Sequence, residues 1–232
     1  MRILMIAVTI IIHSICALAQ IQNGFPVKAG EIPDQVIPFN ARYIFPEFKE
    51  GKATLRNGAT SRQKFNYNCL LDEMQFITPA GDTLAIAAPA ELRSIQVDTA
   101  VFYYDRLYLK QIKKQGKYIL AVKKSIVQLP DKKEAGYNTY SGTSSITTYS
   151  SIISGSKEYK LQANNETIFI PVEYYFLGDE FGHFNRADKK AFFNLFTDKR
   201  KGLQEFIRQK KINFNNKDDI AALFDFCVDK AK

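Results

Sequence analysis

Residues 62–86 read RQKFNYNCLLDEMQFITPAGDTLAI. Phe65, Tyr67 and Cys69 alternate with Asn66 and Asn68, which predicts a half-buried strand with one apolar face and one face of amides. Leu70, Leu71 and Asp72 then turn the chain, and Met74 and Phe76 resume the alternation. Pro79-Ala80-Gly81-Asp82 supplies a second turn, in which proline fixes φ and glycine takes φ > 0. Thr83 to Ile86 returns as a further strand. Two or three antiparallel strands folded on themselves set the fold class, and no stretch of the chain spells an active site.

Outward from this core the same signals recur. On its N-terminal side, Ala41 to Phe45 and Lys49 to Arg56 are strand candidates, with Pro46 as a break and Asn57-Gly58 as a tight turn. On the other side come Glu91 to Val97, Ala100 to Tyr104, Leu107 to Ile112, a turn at Gln115-Gly116, and Tyr118 to Val122. Short strands at nearly regular spacing predict a meander that curls into an open barrel or sandwich to hide its apolar face. Tyr159 to Leu161 and Thr167 to Leu177 extend the β pattern. After Gly178 the period changes from two to 3.6. Asn185 with Asp188 offers a cap before Phe192, Leu195 and Phe196, and Thr197 opens a second helix carrying Leu203, Phe206 and Ile207. Asn216 with Asp219 caps a third, whose Ile220, Leu223, Phe224 and Cys227 form an apolar stripe. The expected class is α+β, a mainly antiparallel β meander followed by a C-terminal cap of about three short helices. Its expected layout is a signal peptide over 1–19, an extended segment over 20–40, a β domain over 41–177 and a helical cap over 178–232.

The signal peptide rests on Arg2, the apolar run Ile3 to Ile12, and Ala17-Leu18-Ala19 before Gln20, which places cleavage between Ala19 and Gln20. The run is too short to span a bilayer, so no transmembrane segment is expected after cleavage. Export places the protein in the periplasm, at the outer membrane or outside the cell. Of three cysteines, Cys69 and Cys227 follow the cleavage point, on the apolar faces of a strand and a helix. They read as small core residues, with a disulfide between them as the alternative.

The chain carries 32 Lys and Arg against 24 Asp and Glu, a formal net charge of +8. From Arg106 to Lys133 the basic residues are opposed by Asp131 alone. Lys113, Lys114, Lys123 and Lys124 in that run are candidate contacts for another envelope protein, an anionic glycan or a lipid surface. Lysines guarding an edge strand are the other explanation. Export argues against a nucleic-acid partner. Residues 136–156, GYNTYSGTSSITTYSSIISGS, hold no charge. Tyr137, Tyr140 and Tyr149 there offer rigid aromatic area among adaptable hydroxyls, so this predicted loop is a second candidate contact.

Catalytic signals are missing. The mature chain has His183 as its one histidine, with no Gly-x-Ser-x-Gly elbow, CxxC, HExxH, P-loop or GxGxxG, and no cofactor is expected. Asp179-Glu180-Phe181-Gly182-His183 brings two carboxylates and an imidazole close enough in sequence to share a divalent cation or to pair an acid with a base. The alternative is a strand-to-helix connection shaped by Gly182. Asp72, Glu73 and Glu173 are the carboxylates a hydrolase with dispersed acids would draw on. Asp82-Thr83-Leu84 and Asp98-Thr99-Ala100 resemble the acceptor pattern of a bacterial O-glycosylation system, and Asn165-Glu166-Thr167 matches an N-glycosylation sequon.

The segments FNYNCLLDEMQFI (65–77) and GDTLAI (81–86), the TTYSSI of 147–152, and the closing NLFTDKRKGLQEFIRQKKINFNNKDDIAALF (194–224) together resemble a family of uncharacterised exported β-rich proteins of Gram-negative bacteria. Phe65 and Cys69 stand where that pattern usually has aliphatic residues. The resemblance implies export and this general layout, and it implies no established activity or functional residue. The expectation is a non-enzymatic envelope or secreted binding protein. The alternatives are a carrier of a small apolar ligand or lipid in a barrel cavity and a hydrolase with dispersed carboxylates.

Overall fold

The computed structural model describes residues 24–129, 166–179 and 181–229. Its strands are β1 (Phe25–Val27), β2 (Lys49–Leu55), β3 (Thr60–Asn68), β4 (Glu73–Ile77), β5 (Thr83–Ala85), β6 (Leu92–Val97), β7 (Ala100–Tyr104), β8 (Tyr108–Gln115), β9 (Tyr118–Gln128), β10 (Thr167–Gly178) and β11 (Phe184–Arg186). Helices α1 (Pro33–Val36) and α2 (Phe39–Arg42) precede β2; α3 (Lys189–Leu195), α4 (Arg200–Lys210) and α5 (Lys217–Val228) follow β11. The strands form one antiparallel sheet in the order β1-β10-β9-β8-β7-β6-β2-β3-β4-β5, with β11 beside β10. This bears out the α+β class. The path is two meanders rather than one. From β2 the chain runs outward through β3, β4 and β5, returns to lay β6 against the other side of β2, and then runs out through β7 to β10.

The sheet rolls up without closing. Val27 and Phe169 come from one end of the strand order and Phe65, Tyr67 and Met74 from the other, yet all five share one buried cluster. Strands that twist and carry apolar residues on one face can bury that face only by curling over it. The amide of Ile126 in β9 donates to the Cys69 carbonyl (2.8 Å), tying the two arms together. Tyr67, Phe102 and Tyr108 fill the inside of the roll, where a barrel ligand would lie. A second cluster joins Leu120, Val122, Tyr175 and Leu177 of the sheet to Phe192, Leu203, Ile220, Leu223 and Phe224 of the helices, so the helices cover one end of the same face.

The expected amide face of β3 is not solvated: Asn66 and Asn68 are 0% and 1% exposed. Strand alternation sends them away from the roll, but residues 42–47 run alongside and cover them. Asn66 Nδ2 donates to the carbonyls of Phe45 (2.8 Å) and Glu47 (3.2 Å), and its Oδ1 accepts from Phe45 N (3.1 Å). Asn68 Oδ1 accepts from Leu70 N and Leu71 N, shaping the turn into β4. The amides act as clamps for irregular backbone, which must find partners once it is buried.

Other elements differ from their sequence signals. Residues 41–45 do not form a strand: Pro38 opens α2, Tyr43 makes an isolated bridge to Asn68, and aromatic stacking of Phe39 on Tyr43 (4.3 Å) fixes the bend. The segment before it is not simply extended, since Phe25–Val27 pairs with Phe169, Ile168 and Thr167 and Pro33 starts a helical turn. Asn185 lies in β11, and Asp188 alone caps α3 by accepting from Ala191 N (2.8 Å). Asn216 caps α5 as its pattern predicts. The region 1–19 with Ala19 and Gln20, the loop 136–156 with Tyr137, Tyr140 and Tyr149, and the 159–161 strand lie outside the described residues.

Candidate functional site

Strand geometry disperses the four lysines expected to form one stripe. Neighbours on a strand point to opposite faces. Lys124 pairs with Glu173 (Nζ to Oε1 2.7 Å), whereas Lys123 turns the other way and is 1% exposed against Asp72 (2.9 Å). A register shift between Gln111 and Lys113 makes Ile112 the extra residue of a bulge, which resets the alternation. Lys113 therefore lies opposite Leu120 on the helix-covered face and meets Asp225 of α5 (2.5 Å), while Lys114 lies opposite Ile119 on the far face.

What the fold does assemble is a smaller cluster. Between α2 and strands β8 to β10 lies a cleft of about 270 Å³, lined by Asn40, Tyr43, Lys110, Lys124, Ser125 and Glu173 among others. Lys110 stands opposite Phe102 and Val122, which puts its stem inside the roll and its ammonium near the Phe45 ring (5.8 Å). Burial lowers its pKa from the ordinary 10.5, and the neighbouring ammoniums of Lys124 and Lys217 lower it further. Glu173 is the nearby counter-charge, and it is already engaged. Burial alone would raise its carboxyl, but hydrogen bonds from Lys124 and from the Tyr175 hydroxyl (2.9 Å), with the charges of Lys124 and Lys217, hold it below the usual range. The Tyr175 hydroxyl is pushed up to about 12 by burial and by that same carboxylate, and Asp218 adds to the effect. Lys110 and Lys124 thus line a half-buried opening with one carboxylate that Lys124 already engages, and the charge of Lys217 acts on both Lys110 and Glu173, an arrangement complementary to an anion.

The Asp179 to His183 loop is built by its own backbone. Asp179 Oδ1 accepts from Phe181 N (2.9 Å) and His183 N (3.1 Å), Oδ2 lies 3.5 Å from His183 Nδ1, and Gly182 takes φ +82°. The His183 side chain is 77% exposed, and Glu180 lies outside the described residues. Among the described residues no three His, Cys, Asp or Glu side chains gather as metal ligands. Asp72, Glu73 and Glu173 are each engaged by other side chains. Asp72 Oδ1 takes Ser125 (2.7 Å), Lys123 and the Tyr67 hydroxyl (3.3 Å), Glu73 accepts from Gln75 (3.1 Å), and Glu173 serves Lys124.

Cys69 and Cys227 are both free and buried, one in each apolar cluster. Burial pushes each thiol up to about 12, with the Asp72 carboxylate adding to the effect at Cys69 and the Lys199 ammonium opposing it at Cys227. Thr83 and Thr99 are exposed on the surface.

No family model, no curated protein and no solved structure matches this chain. Lys110 and Lys217, which complete the cluster, were not distinguishable in sequence from other lysines. A usable signal for Lys110 was its place between Tyr108 and Ile112 on the apolar alternation of its strand, a charge on the inward face.

Proposed function

We propose that the protein is an exported, non-enzymatic binding protein of the cell envelope that holds an anionic group of its partner in the Lys110 cleft. The observation that carries this reading is that Lys110 and Lys124 line one half-buried cleft whose single lining carboxylate among the described residues, Glu173, is already paired with Lys124. Burying a cation next to another costs free energy, and a bound anion offsets that cost. The surplus of basic residues over the whole chain favours approach of such a partner over a longer range.

The test is an affinity capture of the tagged protein from mildly cross-linked envelopes of the cells that make it, read by mass spectrometry. The wild-type protein is expected to retain a specific partner that about 1 M salt displaces, since the screening length then falls to about 3 Å. Changing Lys110→Ala together with Lys124→Ala should abolish the capture. A partner retained by the double variant, or unaffected by salt, would overturn the reading.

A further inference from the structure

We infer that a second cleft, on the opposite side of the sheet, binds an acidic saccharide through Arg56, Arg93 and Lys114. It has a volume of about 460 Å³, within the range of small-ligand sites, and among the described residues no carboxylate lines it. Two independent irregularities of the sheet create it. Thr54 pairs with Ser94 and Leu55 with Leu92, so Arg93 is the extra residue of a bulge and points to the same side as Ser94, while Leu92 and Ile95 stay in the core. The bulge at Ile112 places Lys114 opposite Ile119 and turns it to that side as well. Without these shifts the pleat would aim the two cations elsewhere, and bulges commonly re-aim side chains at functional positions.

Arg56 Nε donates to the Ala90 carbonyl (3.0 Å), which anchors the side chain beside the cleft and leaves the donors of its terminal nitrogens for a ligand. Among the described residues Arg56, Arg93 and Lys114 form no ion pair. A guanidinium fork matches a carboxylate bidentately, and two of them beside a lysine fit a sugar acid. The remaining lining suits the rest of a saccharide. Thr54 and Ser94 bring hydroxyls, and Tyr103, held by its hydrogen bond to Gln111 (2.8 Å), brings a ring. Phe181, 71% exposed at the rim, offers a second aromatic face for the C–H side of a pyranose. A nucleic acid wants cations along an extended track for its regularly spaced phosphates, whereas this cleft gathers three in one place.

The site shares no residue with the Lys110 cleft and stands or falls separately. It is tested by calorimetric titration of the purified protein with tetragalacturonate, its fully methyl-esterified form, and an oligothymidylate. Saturable binding of tetragalacturonate is expected, at least tenfold weaker in Arg56→Gln and in Arg93→Gln and unchanged in Lys201→Ala, an exposed α4 residue of neither cleft. The methyl ester, which keeps the sugar and loses the charge, should not bind. No binding of tetragalacturonate, equal binding of the ester, unchanged affinity in both arginine variants, or tighter binding of the oligothymidylate would each overturn the assignment.

Discussion

The Lys123 ammonium lies 2.9 Å from Asp72 Oδ1, and Lys123 is 1% exposed. The pair joins β9 to the turn between β3 and β4, elements far apart in the strand order, so it fastens the roll across its open side. Ser125 and Tyr67 donate to the same carboxylate oxygen. Removing one partner takes the nearest counter-charge from the other, and of the two Lys123 is the more deeply buried. Asp72→Asn is therefore expected to destabilise the protein by about 3 kcal/mol, and Lys123→Met by less, since the carboxylate it leaves is partly exposed and still accepts from Ser125 and Tyr67. Urea unfolding of both variants and of the double variant checks this, and the double should cost less than the sum.

Asn66 presents a second, purely neutral clamp. In Asn66→Ala the Phe45 and Glu47 carbonyls lose their side-chain partner, and stability should fall by roughly 3 kcal/mol. Asn66→Asp should fall at least as far, because a carboxylate cannot donate to either carbonyl. Thermal unfolding of the two variants distinguishes a hydrogen-bonding role from simple packing, which aspartate would preserve.

Much of the fold was legible in sequence. Alternation located β2, β3, β4, β6, β7, β8 and β10 within a few residues, because each buries one face, and found the start of β9 but not its run on to Gln128; Asn216 announced α5 because a cap needs an oxygen at that position. The roll was expected from the meander, but the covering of its outer side was not legible, since Asn66 and Asn68 read as a wet face until residues 42–47 are seen to cover them. The candidate sites were less legible still. A single extra residue at Ile112 decides that Lys113 meets Asp225 and Lys114 meets the arginines, and no local pattern marks that bulge. Lys110 and Lys217 lie far apart in the chain, and only the third dimension brings their charges together.

The charge cluster sets the direction in which Lys110 titrates. Changing Lys124→Met removes a neighbouring cation and should raise the Lys110 pKa toward 10.5. Changing Glu173→Gln removes an anion and should lower it further. The Glu173 carboxyl itself is held below its ordinary value, so its contribution to closing the cleft is complete above the usual carboxylate pKa and is lost as pH falls through the lowered one. Side-chain NMR titration of lysine and glutamate resonances reads all three shifts.

Both thiols stay protonated at pH 8, where a pKa of about 12 leaves roughly one molecule in ten thousand as thiolate. Cys69 and Cys227 are therefore expected to resist iodoacetamide in the folded protein and to react once urea exposes them. They occupy separate clusters, so oxidised and reduced samples should migrate alike on a denaturing gel.

The most direct test of the Lys110 cleft places a photo-crosslinking amino acid at Asn40, an exposed residue of its lining, in protein made by its own cells. Irradiation should give a discrete cross-linked species that disappears when Lys110→Ala and Lys124→Ala are added and is absent from a probe at exposed Lys201 on α4. No adduct at Asn40, or an adduct that persists in the double variant, would contradict an anionic partner held in that cleft.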